Sequence, residues 1–172
     1  MLGTRPDITY AMIKILQYPS NLLEEHLQKV IHIVCYLSHS QSLCIKYSAS
    51  GTESGLITYS DTDWAGNVGT SHSTTGYAMF LVNRIVSWLS RQQKHIRLSF
   101  TEAKYCGMTE CTKQIQWIWS LFEEIHIPLE CIPICVHNQG VMFLTSNPAQ
   151  EGHTKHFTSL SIIFVKQWNM VK

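Results

Sequence analysis

Little in this sequence is charged. Lys, Arg, Asp and Glu make up 15% of 172 residues, against about 25% in an ordinary globular chain. The signs nearly cancel, 13 basic against 12 acidic, for a formal net charge of +1. That balance excludes a strong overall attraction to polyanions, so any grip on nucleic acid must come from a local site. Long apolar runs are missing too. The most apolar stretch, Ile31 to Leu37, is short and carries His32, whereas a membrane helix needs ~20 apolar residues. No membrane partner is expected. The N-terminal stretch MLGTRPDITYAMIKILQ is broken by Arg5, Asp7 and Lys14, so it lacks the uninterrupted apolar core of a signal peptide and an intracellular location is expected. Cys35, Cys44, Cys106, Cys111, Cys131 and Cys135 are even in number. A chain of this length can bury a core without disulfides, so reduced and mostly buried thiols are expected.

Apolar residues reach 45%, which excludes a disordered chain. The length fits one domain, or one domain with an appendage. Residues 1–40 read as helical. Asn21 suits an N-cap with Glu24 three residues on, and Leu23, Leu27, Val30, Val34 and Leu37 recur at 4-3-4-3 spacing. That pattern predicts one buried stripe on an amphipathic helix. Cys44 to Tyr47 reads as a short strand, and the polar stretch Ser48 to Gly55 as the boundary between units. Leu56 to Asp61 reads as a strand that runs into polar residues. A Gly/Ser/Thr-rich loop follows, then Tyr77 to Val82 and Ile85 to Leu89 around a tight turn at Asn83-Arg84, with Ile96 to Phe100 continuing the β segment.

Residues 101–126 form the clearest helix. Ser99-x-x-Glu102 is a capping box, Cys111, Ile115, Ile118, Phe122 and Ile125 make the apolar stripe, and Pro128 stops it. Residues 131–137 read as a strand, and helical segments are expected after Asn138 and from Lys155 onward. This order implies an α/β fold, a mixed sheet covered by helices.

Chemistry concentrates in Tyr59-Ser60-Asp61-Thr62-Asp63-Trp64-Ala65-Gly66. An Asp at the end of a buried strand must be hydrogen-bonded or hold a cation. Glu102, opening the long helix, is the natural second carboxylate. On spacing alone, Asp61 and Asp63 read equally as turn residues and Glu102 as a cap partner. Cys131-x3-Cys135 with His137, or His153-x2-His156, can be drawn as metal pairs, but neither has the spacing of a standard zinc site. Trp64 is the tryptophan placed nearest a possible ligand; Trp117 and Trp119 read as helix packing.

Taken in order, these motifs resemble the C-terminal part of a copia-type (Ty1-like) retrotransposon polyprotein. Thr4-Arg5-Pro6-Asp7-Ile8 resembles TRPDI near the end of its reverse transcriptase. Tyr59 to Gly66 resembles YSDADWAG, which opens its RNase H domain. Ser73 to Tyr77 resembles STSGY, Val86-Ser87-Trp88 resembles ISW, and Leu98 to Tyr105 resembles LSSTEAEY. Asn138-Gln139 resembles the middle of CDNQSA, and His153 to His156 resembles part of RTKHID. The resemblance implies residues 1–50 as a helical tail of a reverse transcriptase. It implies residues 51–172 as an RNase H-like domain: an antiparallel three-strand part plus parallel strands, flanked by helices.

It also implies a nuclease in which four carboxylates hold two Mg²⁺ or Mn²⁺ ions across the scissile phosphate of an RNA–DNA hybrid. Asp61 matches the first acid and Glu102 the second. His137 and Thr158 stand where the family has the other two, and neither replaces a carboxylate on Mg²⁺. The expectation is weak metal binding and an impaired nuclease. Lys155 and His156 match a basic pair able to contact phosphate. Copia-like fragments are also known among secreted RxLR-type effectors of oomycetes, which implies an alternative: secretion, a host-protein partner and suppression of host defence or cell death. A decayed element without a selected task is the third reading.

Overall fold

A computed structural model describes residues 3–18, 23–47, 55–67, 69–129 and 132–137. Pro6–Ile8 forms a 3-10 turn that leads into α1, Thr9–Leu16, and α2 spans Glu24–His39. The strands are β1 (Leu56–Asp63), β2 (Thr74–Leu81), β3 (Arg84–Gln92) and β4 (Ile134–Val136), with α3, Phe100–Glu124, between the last two. The sheet order is β3-β2-β1-β4. β1, β2 and β3 pair antiparallel and β4 joins β1 in parallel, the mixed α/β sheet of an RNase H-like fold.

The hairpin between β2 and β3 turns at Val82 and Asn83, both with positive φ of 49° and 59°. Two such residues in a row give a turn whose twist matches the strands it joins. One step further in, the register slips between Met79 and Phe80, leaving Val86 as the extra residue of a bulge.

β1 alternates strictly. Leu56, Thr58, Ser60 and Thr62 are buried, while Tyr59, Asp61 and Asp63 are exposed. α3 lies against the sheet, and its Cys111, Ile115 and Ile118 pack with Leu56 and Met79. A second small cluster, Tyr105 and Met108, meets Ile134 and Val136 of β4. The core is thus apolar toward the C-terminal half of α3. It is hydroxyl-rich toward the other half, where Thr58, Thr62, Ser73, Thr74 and Thr75 are buried. Ser99 caps α3, its Oγ accepting from the Glu102 N–H at 3.1 Å. The N-terminal segments meet the rest of the fold as well: Gln17, just after α1, accepts at Oε1 from Asn67 Nδ2 in the loop after β1 at 3.1 Å, and Tyr47, beyond α2, donates to the Ile85 carbonyl of β3 at 2.8 Å.

Several expectations are corrected. The α2 stripe is not core: Leu27 and Val34 are 50% and 59% exposed. The helix buries His26 and Ile33 instead, because polar contacts set its rotation. The His26 ring stacks on Tyr18 at 4.3 Å. Arg5 donates to Ser40 Oγ at 2.7 Å and to Asp7 at 2.8 Å, and Tyr36 donates to Asp7 at 2.9 Å. Arg5, with help from Tyr36, holds the Asp7 carboxyl down at about 2.

Cys44 to Tyr47 forms no strand, and neither does Ile96 to Phe100, where the chain loops from β3 into α3. Most thiols are not buried: Cys35, Cys44 and Cys135 are exposed and Cys106 is half-buried. Only Cys111, among the described cysteines, is fully buried, and burial pushes its thiol up to about 12. Asn21, Cys131 and the expected helices after residue 138 lie outside the described residues.

Candidate functional site

Asp61 sits near the end of β1, opposite Gly76 of β2. Its neighbour Ser60 pairs with Val136 of β4, so Asp61 and His137 lie together at the same end of the sheet. Alternation along β1 turns the Asp61 side chain outward, and it is 76% exposed. What reaches it is Lys104, from the second turn of α3. Lys104 Nζ donates to Asp61 Oδ1 at 2.9 Å and to the His137 carbonyl at 3.2 Å. It lies 4.5 Å over the Phe100 ring, and its side chain is only 10% exposed. One ammonium therefore ties β1, α3 and the end of β4 together. It also sets the charge state of the site: the Lys104 hydrogen bond holds the Asp61 carboxyl below the usual carboxylate range, against the opposing effect of partial burial.

Glu102 is two residues from Lys104, and side chains two apart on a helix leave from opposite sides. Glu102 accepts from the Leu98 N–H at 3.0 Å and from Arg97 Nη1 at 3.3 Å. These are the contacts of a first-turn carboxylate at a helix N-terminus, where the dipole and free N–H groups favour an anion. The structure thus brings together Asp61, Lys104 and the His137 backbone, and it occupies Glu102 with Arg97 instead. Asp63 lies 3.9 Å from Lys14 of α1. A Cβ at Gly66 would meet the Asp63 carboxylate, so a side chain there would require Asp63 to swing aside. Trp64 is partly exposed, and its indole N–H donates to the Arg97 carbonyl at 3.2 Å. Thr158, Lys155 and His156 lie outside the described residues, as do Cys131 and His153.

A pair of divalent ions does not fit this donor set. Hard Mg²⁺ takes oxygen ligands and needs their negative charge. The group beside Asp61 is itself a cation, and each unit of like charge at 4 Å costs about 4 kcal/mol at an effective dielectric of 20. Among the described residues, no group of three or more His, Cys, Asp or Glu side chains is placed to hold a metal ion. Asp61 with Lys104 can bridge secondary-structure elements and neutralise each other. No step through a bound metal follows from this arrangement.

Lys104 is the residue that motif reading passes over. The signal was legible: the segment Leu98 to Tyr105 departs from LSSTEAEY at two positions, with Phe100 at its second Ser and Lys104 at its second Glu. Identity at Glu102 drew attention to the side of the helix that faces Arg97, and not to the side that reaches Asp61, because letter matching carries no helical phase.

Comparison with known proteins finds relatives over most of the chain. It is 37% identical over 154 residues to the retrovirus-related Pol polyprotein from transposon RE1 of Arabidopsis thaliana, a match covering 89% of this chain and 10% of that protein. It is 31% identical over 156 residues to the corresponding polyprotein from transposon TNT 1-94 of Nicotiana tabacum, covering 91% and 12%. The chain thus spans about a tenth of the length of these polyproteins. It is also 36% identical over 118 residues to secreted RxLR effector protein 161 of Plasmopara viticola, covering 69% of this chain and 82% of that protein. No family model matches the chain, and no solved structure does. Among the described residues, no helix is long and apolar enough to cross a membrane.

Proposed function

The chain belongs to the copia-type retrotransposon Pol family, and from that premise we propose that it is a copia-derived RNase H-like domain whose hybrid-cleaving chemistry is impaired. The observation that carries this reading is the 2.9 Å ion pair between Lys104 and Asp61. A nuclease of this class works by concentrating negative charge to hold metal ions at the phosphate, and here the retained aspartate is already neutralised from within the fold. His137 and Thr158 add to the loss, since neither supplies a carboxylate. The partner class is an RNA–DNA hybrid, with residues 51–172 as the binding domain and 1–50 as the reverse-transcriptase tail. Lys155 and His156 would touch phosphate. Mg²⁺ and Mn²⁺ would not be held stably. The test is cleavage of an end-labelled RNA–DNA hybrid in each ion. Background cleavage is expected, and turnover comparable to an intact RNase H overturns the reading.

A second reading has one observation in its favour: the relative of matching length carries the name of a secreted RxLR effector. In that reading the scaffold is reused to bind a host protein and suppress defence or cell death. Expression inside plant cells should then change the death response, and the chain should be found in secreted fractions of its source. Failure of both removes this reading.

A further inference from the structure

A cleft of about 440 Å³ lies at the other edge of the sheet, between β3, the loop that follows it and the outer side of α3. Four cations line it: Arg91 from β3, Lys94 and Arg97 from the loop, and Lys113 from α3. Glu110 is the single acid in the lining. Arg97 is itself paired with Glu102 at 3.3 Å, so the cleft carries a local excess of two positive charges in a chain whose formal excess is one. β3 stands two strands away from β1, so the Arg91 and Lys94 side of the cleft lies away from Asp61, while Thr75 and Arg97 carry it toward β2 and the first turn of α3.

We propose that the cleft binds the sugar–phosphate backbone of a single-stranded nucleic acid. The choice of nucleic acid among polyanions rests on the function proposed above; the anion site itself rests on the residues that line it. Glu110 is shared between Lys113 at 2.6 Å and Arg91 at 3.9 Å, and one carboxylate cannot neutralise two cations. Lys94 makes no ion pair among the described residues. These surface pairs are weak enough, about 0–1 kcal/mol each, for a phosphate to displace them.

Arg97 is held ready. Its Nε donates to Gln93 Oε1 at 3.4 Å, while Gln93 Nε2 is fixed by the Thr75 hydroxyl at 2.8 Å and the Ala103 carbonyl at 2.9 Å. A guanidinium fixed in this way loses less freedom on binding, and its fork suits phosphate oxygens. The volume is that of a site for a drug-sized ligand, room for a nucleotide or two of one strand.

The experiment is fluorescence anisotropy of the full chain with a labelled single strand of about 10 nucleotides, a length within the range that one binding module covers. It is repeated across salt concentrations. The variant carries Arg91→Ala, Lys94→Ala and Lys113→Ala, whose exposed head groups are not needed for folding. Neutralising three contacts should flatten the slope of log affinity against log salt by about 2, since each phosphate contact to a single strand contributes about 0.7. Affinity at low salt should fall tenfold or more. No binding by the unaltered chain overturns the proposal, as does unchanged affinity and slope in the variant. Full displacement by stoichiometric inorganic pyrophosphate would reassign the cleft to a small phosphate ligand, and equal affinity for polyglutamate would make it a generic acidic-protein site. Either result also overturns it. The readout is binding, so hybrid cleavage by the unaltered chain would refute the impaired nuclease and leave the cleft standing.

Discussion

Replacing Lys104 with Glu, together with His137→Asp and Thr158→Asp, should raise Mg²⁺-dependent hybrid cleavage by a hundredfold or more over the unaltered chain. The size follows from what bound metal supplies to phosphate chemistry, several kcal/mol of charge stabilisation, at about 1.4 kcal/mol per tenfold in rate. Lys104→Glu matters most because it changes the sign of the charge that faces Asp61 at 2.9 Å. His137→Asp with Thr158→Asp alone leaves the ammonium in place and should stay at background.

Binding can be read separately from turnover. Mg²⁺ that binds the folded triple variant must raise its melting temperature, by linkage to the folded state, while the unaltered chain should show no such shift. Proton titration gives a third readout. Asp61 is held below the ordinary carboxylate range chiefly by Lys104, so the stability this pair contributes is present above the unfolded-state pKa and lost as pH falls through the folded one. In Lys104→Ala, the Asp61 carboxyl should titrate nearer its ordinary range, as followed by carboxyl carbon NMR. Glu102→Gln in the triple variant should leave cleavage unchanged and lower only stability, since Glu102 serves the helix start. A triple variant with neither a Mg²⁺ shift nor cleavage would mean that the residue correspondence, or the fold, is wrong.

Much of this was legible in the sequence, and the parts that were not share a cause. The β1–β2–β3 meander followed from alternation and from a tight turn. The turn falls at Val82 and Asn83, one residue from the expected place. α3 was marked by Ser99 at its start and by Cys111, Ile115 and Ile118 at helical spacing, all of them buried. These features are local or strongly periodic. The α2 stripe was periodic too, yet Leu27 and Val34 face outward. Periodicity tells which residues share a face and not whether anything covers it. The Arg5, Asp7, Tyr36 and Ser40 network that orients the helix joins residues up to 35 apart in sequence. Ile96 to Phe100 had apolar letters but no ladder, because the chain there must turn from β3 into α3. Asp61 was legible from its place at a strand end. Its partner was not, because the contact with Lys104 spans 43 positions and depends on helical phase.

Gly107 carries the second large expectation. It lies in α3 where the helix comes closest to the sheet. A Cβ there would collide with Thr62 Oγ1 of β1 and sit 3.3 Å from Thr75 Cγ2 of β2. Ordinarily Gly→Ala inside a helix stabilises by about 1 kcal/mol. Here overpacking, typically 1–3 kcal/mol, should reverse the sign: Gly107→Ala is expected to be net destabilising by about 1 kcal/mol and Gly107→Val by about 3 or more, measured by urea denaturation. The Thr62 hydroxyl is buried without a hydrogen-bond partner among the described residues, so removing it breaks no bond seen there and opens the space that the new methyl needs. In a Thr62→Ala background, Gly107→Ala should therefore become neutral or stabilising, a coupling of 1 kcal/mol or more in the double-mutant cycle. The same contact sets the reach of Lys104, one turn earlier on the same helix: a helix pushed off the sheet draws its ammonium away from Asp61. Gly107→Val should accordingly bring the Asp61 carboxyl closer to its ordinary titration range along with the loss of stability. A cycle with no coupling would place the strain of Gly107→Ala away from Thr62, and with it the account of why α3 can approach the sheet so closely.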